Sequence, residues 1–135
     1  MSKGHQGNKK RLEAISSFAR SISKRARITC ELCEGTKDLQ VWDYRPDLPP
    51  NMDTLALLCR NCRELAGGKM ASPQELRSIR KALWSNIPAV AVGAGEILIR
   101  CNEPWVQGAI SQSFMDDNIK SQLLDKIQIE NIDRK

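Results

Sequence analysis

Residues 30–62 read CELCEGTKDLQVWDYRPDLPPNMDTLALLCRNC. The stretch opens on Cys30-Glu31-Leu32-Cys33 and closes on Cys59-Arg60-Asn61-Cys62, two C-x-x-C turns with 25 residues between them. Two residues between cysteines let both sulfurs turn toward one ion while backbone amides face them. Two such turns complete a tetrahedral shell of four thiolates, the closed geometry of structural zinc. Soft sulfur selects zinc, or iron held by four cysteines, over hard cations. With all four positions filled by Cys30, Cys33, Cys59 and Cys62, no site is left for water. Zinc is therefore expected to hold the fold together and to do no chemistry.

Between the cysteine pairs, Glu34-Gly35-Thr36 reads as a turn. Leu39 and Val41 then alternate with Gln40, Trp42 and Tyr44, the period of a short half-buried strand. Pro46, Pro49 and Pro50 make Arg45 to Asp53 a loop, and Leu55 to Leu58 returns the chain to Cys59, closing a short β-hairpin. After Cys62, Arg63 to Ala66 is expected to form a short helix that stops at Gly67-Gly68, ending a four-cysteine zinc module over residues 30–70.

Residues 71–130 read as helical. Ser72-Pro73-Gln74-Glu75 is a capping box with Pro in the first turn, followed by an apolar face of Leu76, Ile79, Leu83 and Trp84. Pro88 to Arg100 is read as a second helix in preference to a strand. Its Gly93-x-Gly95 lacks the lysine of a phosphate loop and is assigned no ligand. A third segment from Pro104 carries Trp105, Val106, Ala109, Ile110, Phe114 and Met115, and a fourth from Asp117 carries Ile119, Leu123, Leu124 and Ile127. Residues 131–135 are expected to fray. Cys101 stands alone and reads as a small packing residue.

Upstream of the cysteines, Leu12, Ile15, Phe18/Ala19 and Ile22 recur at spacings of three and four, so residues 9–29 read as an amphipathic basic helix behind a disordered tail, 1–8. Residues 1–29 hold eight Lys/Arg against one acid, whereas the rest of the chain holds thirteen against fifteen. The overall charge of +5 thus belongs to this arm. Its Lys9, Lys10, Arg11, Arg20, Lys24, Arg25 and Arg27 are candidates to contact the phosphates of DNA, RNA or a ribonucleoprotein. The alternative is an interaction or regulatory zinc module whose arm meets an acidic protein. No segment matches a base-reading helix of known type. Trp84 and Trp105 read as core residues, and Trp42 and Tyr44, near Arg45, Arg60 and Arg63, as a surface for stacking.

The 135 residues suffice for one domain with an arm, and with only three Trp, two Phe and one Tyr the core is modest enough to benefit from a metal. No apolar run approaches the roughly 20 residues of a membrane helix, and no secretory signal is visible. A cytoplasmic protein is expected, in which free thiols favour metal over disulfides.

Two resemblances sharpen this reading. Cys-Glu-Leu-Cys, a strand, a Pro-rich loop, Leu-Cys-x-x-Cys and then Leu83-Trp84-Ser85-Asn86-Ile87-Pro88-Ala89-Val90-Ala91-Val92 resemble the N-terminal zinc-binding part of PhnA-like proteins over roughly residues 24–127. Residues 24–127 correspond to the part of that family that precedes its small β-rich domain, and no such domain is expected within these 135 residues. The resemblance implies the zinc and the fold, and supplies no catalytic residue. The stretch from Cys30 to Leu65 also resembles the HNH, or His-Me finger, nuclease frame, which implies a treble-clef-like module. Where that family has its general-base His this chain has Asp43, and where it has a metal-binding His after the last cysteine it has Arg63. The one histidine is His5. A nuclease needs a base for water and ligands for a divalent ion; Asp43 with Glu64 or Asp38 is the remaining hard-cation candidate. The expectation is thus an α+β, mostly helical, non-catalytic protein: a four-cysteine zinc ribbon or treble clef with a short hairpin, a basic helix before it and three or four helices after it. A degenerate HNH-type nuclease is the minor alternative.

Overall fold

The computed structural model describes residues 2–101 and 103–133, with side chains over 9–101 and 103–127. Helix α1 spans Ser2–Arg25, strand β1 Gln40–Asp43 and strand β2 Leu55–Leu58. Helices α2 (Arg60–Ala66), α3 (Pro73–Arg80), α4 (Pro88–Ile99), α5 (Val106–Gln112) and α6 (Asp117–Asp133) follow, with a 3₁₀ turn at Lys81–Trp84 between α3 and α4. The protein is α+β, with one two-stranded hairpin and six helices among the described residues. Four helices come after the cysteine module, at the upper end of the expected number. Helix α1 already runs from Ser2, through the segment read as a tail; no proline interrupts it. Met1 and residues 134 and 135 lie outside the described residues.

The strands pair antiparallel, with Gln40 opposite Leu58, Val41 opposite Leu57, Trp42 opposite Ala56 and Asp43 opposite Leu55. Side chains alternate across a strand, so each face of the hairpin meets a different helix. Leu55, Leu57 and Val41 pack with Ile15, Phe18 and Ile22 of α1 and with Ala26 just after it. Ala56, Leu58 and Trp42 belong instead to the main core with α4. All of β2 is buried, because it lies between the two helices.

Helix α4 has ten of its twelve residues buried, the pattern of a helix enclosed on all sides. Its glycines are notches. A Cβ at Gly93 would sit 3.1 Å from the Trp42 ring, and one at Gly95 would sit 2.8 Å from Leu123 of α6. Gly-x-Gly here serves close packing. Cys30, Leu32, Cys59, Cys62 and Leu65 share one core cluster with α3, α4, α5 and α6, so the helical half packs directly on the cysteine module. Among the described residues, no helix is long and apolar enough to cross a membrane.

Candidate metal centre

Each pair of cysteines is carried by a turn that its own backbone builds. In the first, Cys30 N donates to Gly35 O at 2.7 Å and Glu34 N to Cys30 O at 2.9 Å. Gly35 N also donates to Cys33 Sγ at 3.4 Å. Glu34 takes a positive φ of 67° to close this turn. In the second, the sequence pattern places the helix start after Cys62, but α2 begins at Arg60, one residue beyond Cys59. The reason is local: Cys59 Sγ accepts from Cys62 N at 3.4 Å, so the sulfur caps the helix as a Ser or Asp oxygen would. Helix α2 stops where expected, at Gly67 and Gly68, the latter at φ 127°.

The four sulfurs lie within 4.8 Å of one another. Cys33 Sγ and Cys59 Sγ are 3.6 Å apart. Sulfurs bound at about 2.3 Å around a tetrahedral ion are about 3.8 Å from each other, whereas a disulfide brings them to about 2.0 Å. None of the five cysteines is in a disulfide. Cys30 and Cys62 are fully buried, Cys59 is 8% exposed and Cys33 is half-buried. The geometry is close enough to bind one metal ion.

The electrostatics of the thiols also call for a cation. A hydrogen bond from Cys62 pulls Cys30 down to about 5 against the opposing effect of burial, with help from backbone hydrogen bonds of Cys33, Cys59 and Leu32. Burial pushes Cys33 up to about 11, and the charge on Cys30 adds to the rise. Cys62 is raised by the hydrogen bond it gives Cys30, by burial, and by the charges of the other three sulfurs. The charge on Cys30 therefore opposes ionisation of Cys33 and Cys62. A divalent cation between them reverses that balance and lets all four ionise.

One of the two intervening residues in each C-x-x-C turn anchors a neighbouring helix. Glu31 accepts from Arg25 Nε at 3.0 Å and Nη2 at 2.8 Å, and its Oε1 also accepts from Leu57 N at 2.8 Å. Arg25 donates further to Met52 O and Leu55 O. Asn61 donates to Glu75, the capping-box acid of α3, and accepts from Lys69 Nζ at 3.1 Å. The module is thus tied to α1 through one turn and to α3 through the other.

These ties divide the seven basic residues singled out from the sequence. Arg11 pairs with Asp43 and donates to Arg45 O at 3.0 Å; Arg25 pairs with Glu31. Both are engaged within the protein. Lys9, Lys10, Arg20, Lys24 and Arg27 are exposed, and none has an ion-pair partner among the described residues. The signal for the division was present in the sequence: positions 11 and 25 continue the 15, 18, 22 series of the apolar face, while 9, 10, 20 and 24 do not.

The residues aligned with the nuclease frame are occupied as well. Asp43 holds Arg11 and accepts from Arg45 N at 3.2 Å. Arg63 donates to Gln40 Oε1 at 3.0 Å and to Asp38 O at 2.8 Å. Asn51 Oδ1 accepts from Asp53 N and Thr54 N, shaping the loop between the strands. Among the described residues the four cysteines are the one group of three or more His, Cys or acidic side chains close enough to share an ion. Cys101 is not in it and donates to Ile97 O at 3.4 Å. Trp42 lies against Gly93, half-buried, with its ring 6.4 Å from that of Tyr44; Trp105 lies under the Arg80 guanidinium at 4.7 Å. No protein-family model, curated protein or solved structure matches the chain.

Proposed function

We propose that this chain is a non-catalytic, PhnA-like module, built on one structural zinc ion, that binds nucleic acid or a ribonucleoprotein through its basic N-terminal helix in a reducing, cytoplasmic setting. The observation that carries the reading is the outward side of α1, where Lys9, Lys10, Arg20 and Lys24 are exposed without ion-pair partners among the described residues. Exposed cations on a rigid helix bind phosphates by releasing counterions. Zinc is favoured by the sulfur-only ligand set, and a structural role by the absence of any place for water among four thiolates.

Fluorescence anisotropy of the zinc-loaded protein against a mixed panel of labelled nucleic acids tests this, at low and near-physiological salt. Binding whose logarithm falls linearly with the logarithm of salt supports the proposal. Absence of binding to every probe at low salt refutes it and leaves the protein-interaction alternative. An acidic peptide as competitor separates the two, because an acidic protein surface would satisfy the same cations.

A further inference from the structure

Resting on the nucleic-acid reading, we infer that α1 crosses the major groove of duplex DNA, gripping one phosphate backbone with Lys9 and Lys10 and the other with Arg20 and Lys24, and presenting Glu13, Ser16 and Ser17 to the base edges between them.

The two sides of α1 differ in character, with Leu12, read as part of the apolar face but 56% exposed, as the exception. At 100° per residue, positions 9, 10, 13, 16, 17, 20, 21 and 24 occupy one side, and each is exposed. Ile15, Phe18 and Ile22 occupy the other, against the hairpin. The outward side therefore stands clear of the body on which the helix is mounted. It carries four cations, one acid, three serines and no aromatic residue.

Along the axis the cations form two groups. At about 1.5 Å per residue, Lys10 and Arg20 are about 15 Å apart, and Lys9 and Lys24 about 22 Å. The major groove of B-form DNA is about 12 Å wide and admits an α-helix. Two cationic ends therefore reach the two backbones bordering the groove. The middle is small and polar: serines allow close approach, and Ser17 Oγ, which donates to Ala14 O at 2.6 Å, remains free to accept.

Glu13 decides between lying along a strand and lying across a groove. On a face that follows one phosphate backbone, a central carboxylate would repel the ligand. Over base edges it is useful, since an acid accepts from the cytosine amine. Other nucleic acids fit less well. The major groove of A-form RNA is too narrow for side chains to read. Single strands are held by aromatic platforms, and this face has none.

The test uses the zinc-loaded full chain with a short labelled DNA duplex, the RNA duplex of the same sequence and one single strand of each. DNA duplex should bind at least roughly tenfold tighter than the others. Four phosphate contacts give a slope of log affinity against log salt near about −3.6, so a fourfold rise in salt costs on the order of 10²-fold. K9E/K10E and R20E/K24E should each weaken binding and roughly halve that slope, with metal content and helicity unchanged. Selection from randomised duplexes should enrich a short motif that Glu13→Ala alters. Equal or tighter binding to RNA or single strands overturns the groove placement while the broader nucleic-acid reading stands. Failure to enrich any sequence overturns the base-edge role. No binding to any probe removes both readings.

Discussion

Arg25 and Glu31 form a two-pronged ion pair that joins the end of the basic helix to the first cysteine turn. The pair is mostly buried, with side chains 19% and 8% exposed, and Glu31 has a third hydrogen bond from Leu57 N. Such a pair stabilises weakly against a hydrophobic replacement, but losing one member leaves an uncompensated charge.

Arg25→Met should therefore destabilise the protein by about 3 kcal/mol, and Glu31→Gln by a comparable amount. The double substitution should cost less than the sum. Urea denaturation of the metal-loaded proteins measures this cycle; additive losses would mean the two residues act independently. The same reasoning makes Arg25 a poor probe of ligand binding, since its loss disturbs the fold.

Removing the metal should unfold the cysteine module and loosen what packs on it. Structural zinc contributes roughly 10 kcal/mol or more in small Cys-rich modules. A chelator should release one ion per chain and abolish amide protection in β2, while Cys59→Ser should fail to retain the ion even though its hydroxyl can still cap α2. A Cys59→Ser protein with full metal content and unchanged stability would contradict the four-sulfur site.

The two notches of α4 should respond differently to alanine. At Gly93 the added methyl meets a rigid Trp42 ring at 3.1 Å, so overpacking outweighs the helix-propensity gain and stability falls by about 1 kcal/mol. Trp42→Phe should restore part of it. At Gly95 the neighbour is the flexible end of Leu123, which can turn aside, so Gly95→Ala should lie closer to neutral. Thermal denaturation of both single variants settles the order.

Between α1 and Cys30 the chain passes through two successive left-handed residues, Arg27 and Ile28, each at φ 56°. Ile28 is β-branched and 69% exposed, so nothing offsets its strain by burial. Ile28→Gly should raise stability by about 1 kcal/mol. A loss of stability in chemical denaturation would show that the isoleucine side chain itself is needed.

Much of this architecture is written in local patterns. The paired C-x-x-C spacing and the Ser72 capping box each reflect chemistry that acts within a few residues, and each appears in the structure as expected; Trp42, read as a surface residue for stacking, instead packs against Gly93 of α4 and the main core. What the sequence left open depends on contacts between distant segments. Positions 11 and 25 continue the apolar series of α1, but nothing in that series names their partners, Asp43 and Glu31, which lie 32 and 6 residues away. Cys59 as a helix cap was hidden because its sulfur also reads as a metal ligand. Gly93-x-Gly95 resembled a fragment of a ligand loop because nothing nearby announces the Trp42 and Leu123 that fill it.

The two sides of α1 carry separate obligations. Positions 11, 15, 18, 22 and 25 are fixed by the hairpin and the first cysteine turn, whereas 9, 10, 13, 16, 17, 20, 21 and 24 face away from both. Exposed substitutions of that kind usually change stability by less than about 0.5 kcal/mol. The outer face can therefore drift or be redesigned while the scaffold stays intact. It is a replaceable edge on a permanent handle, and a new binding preference can evolve there without a new fold.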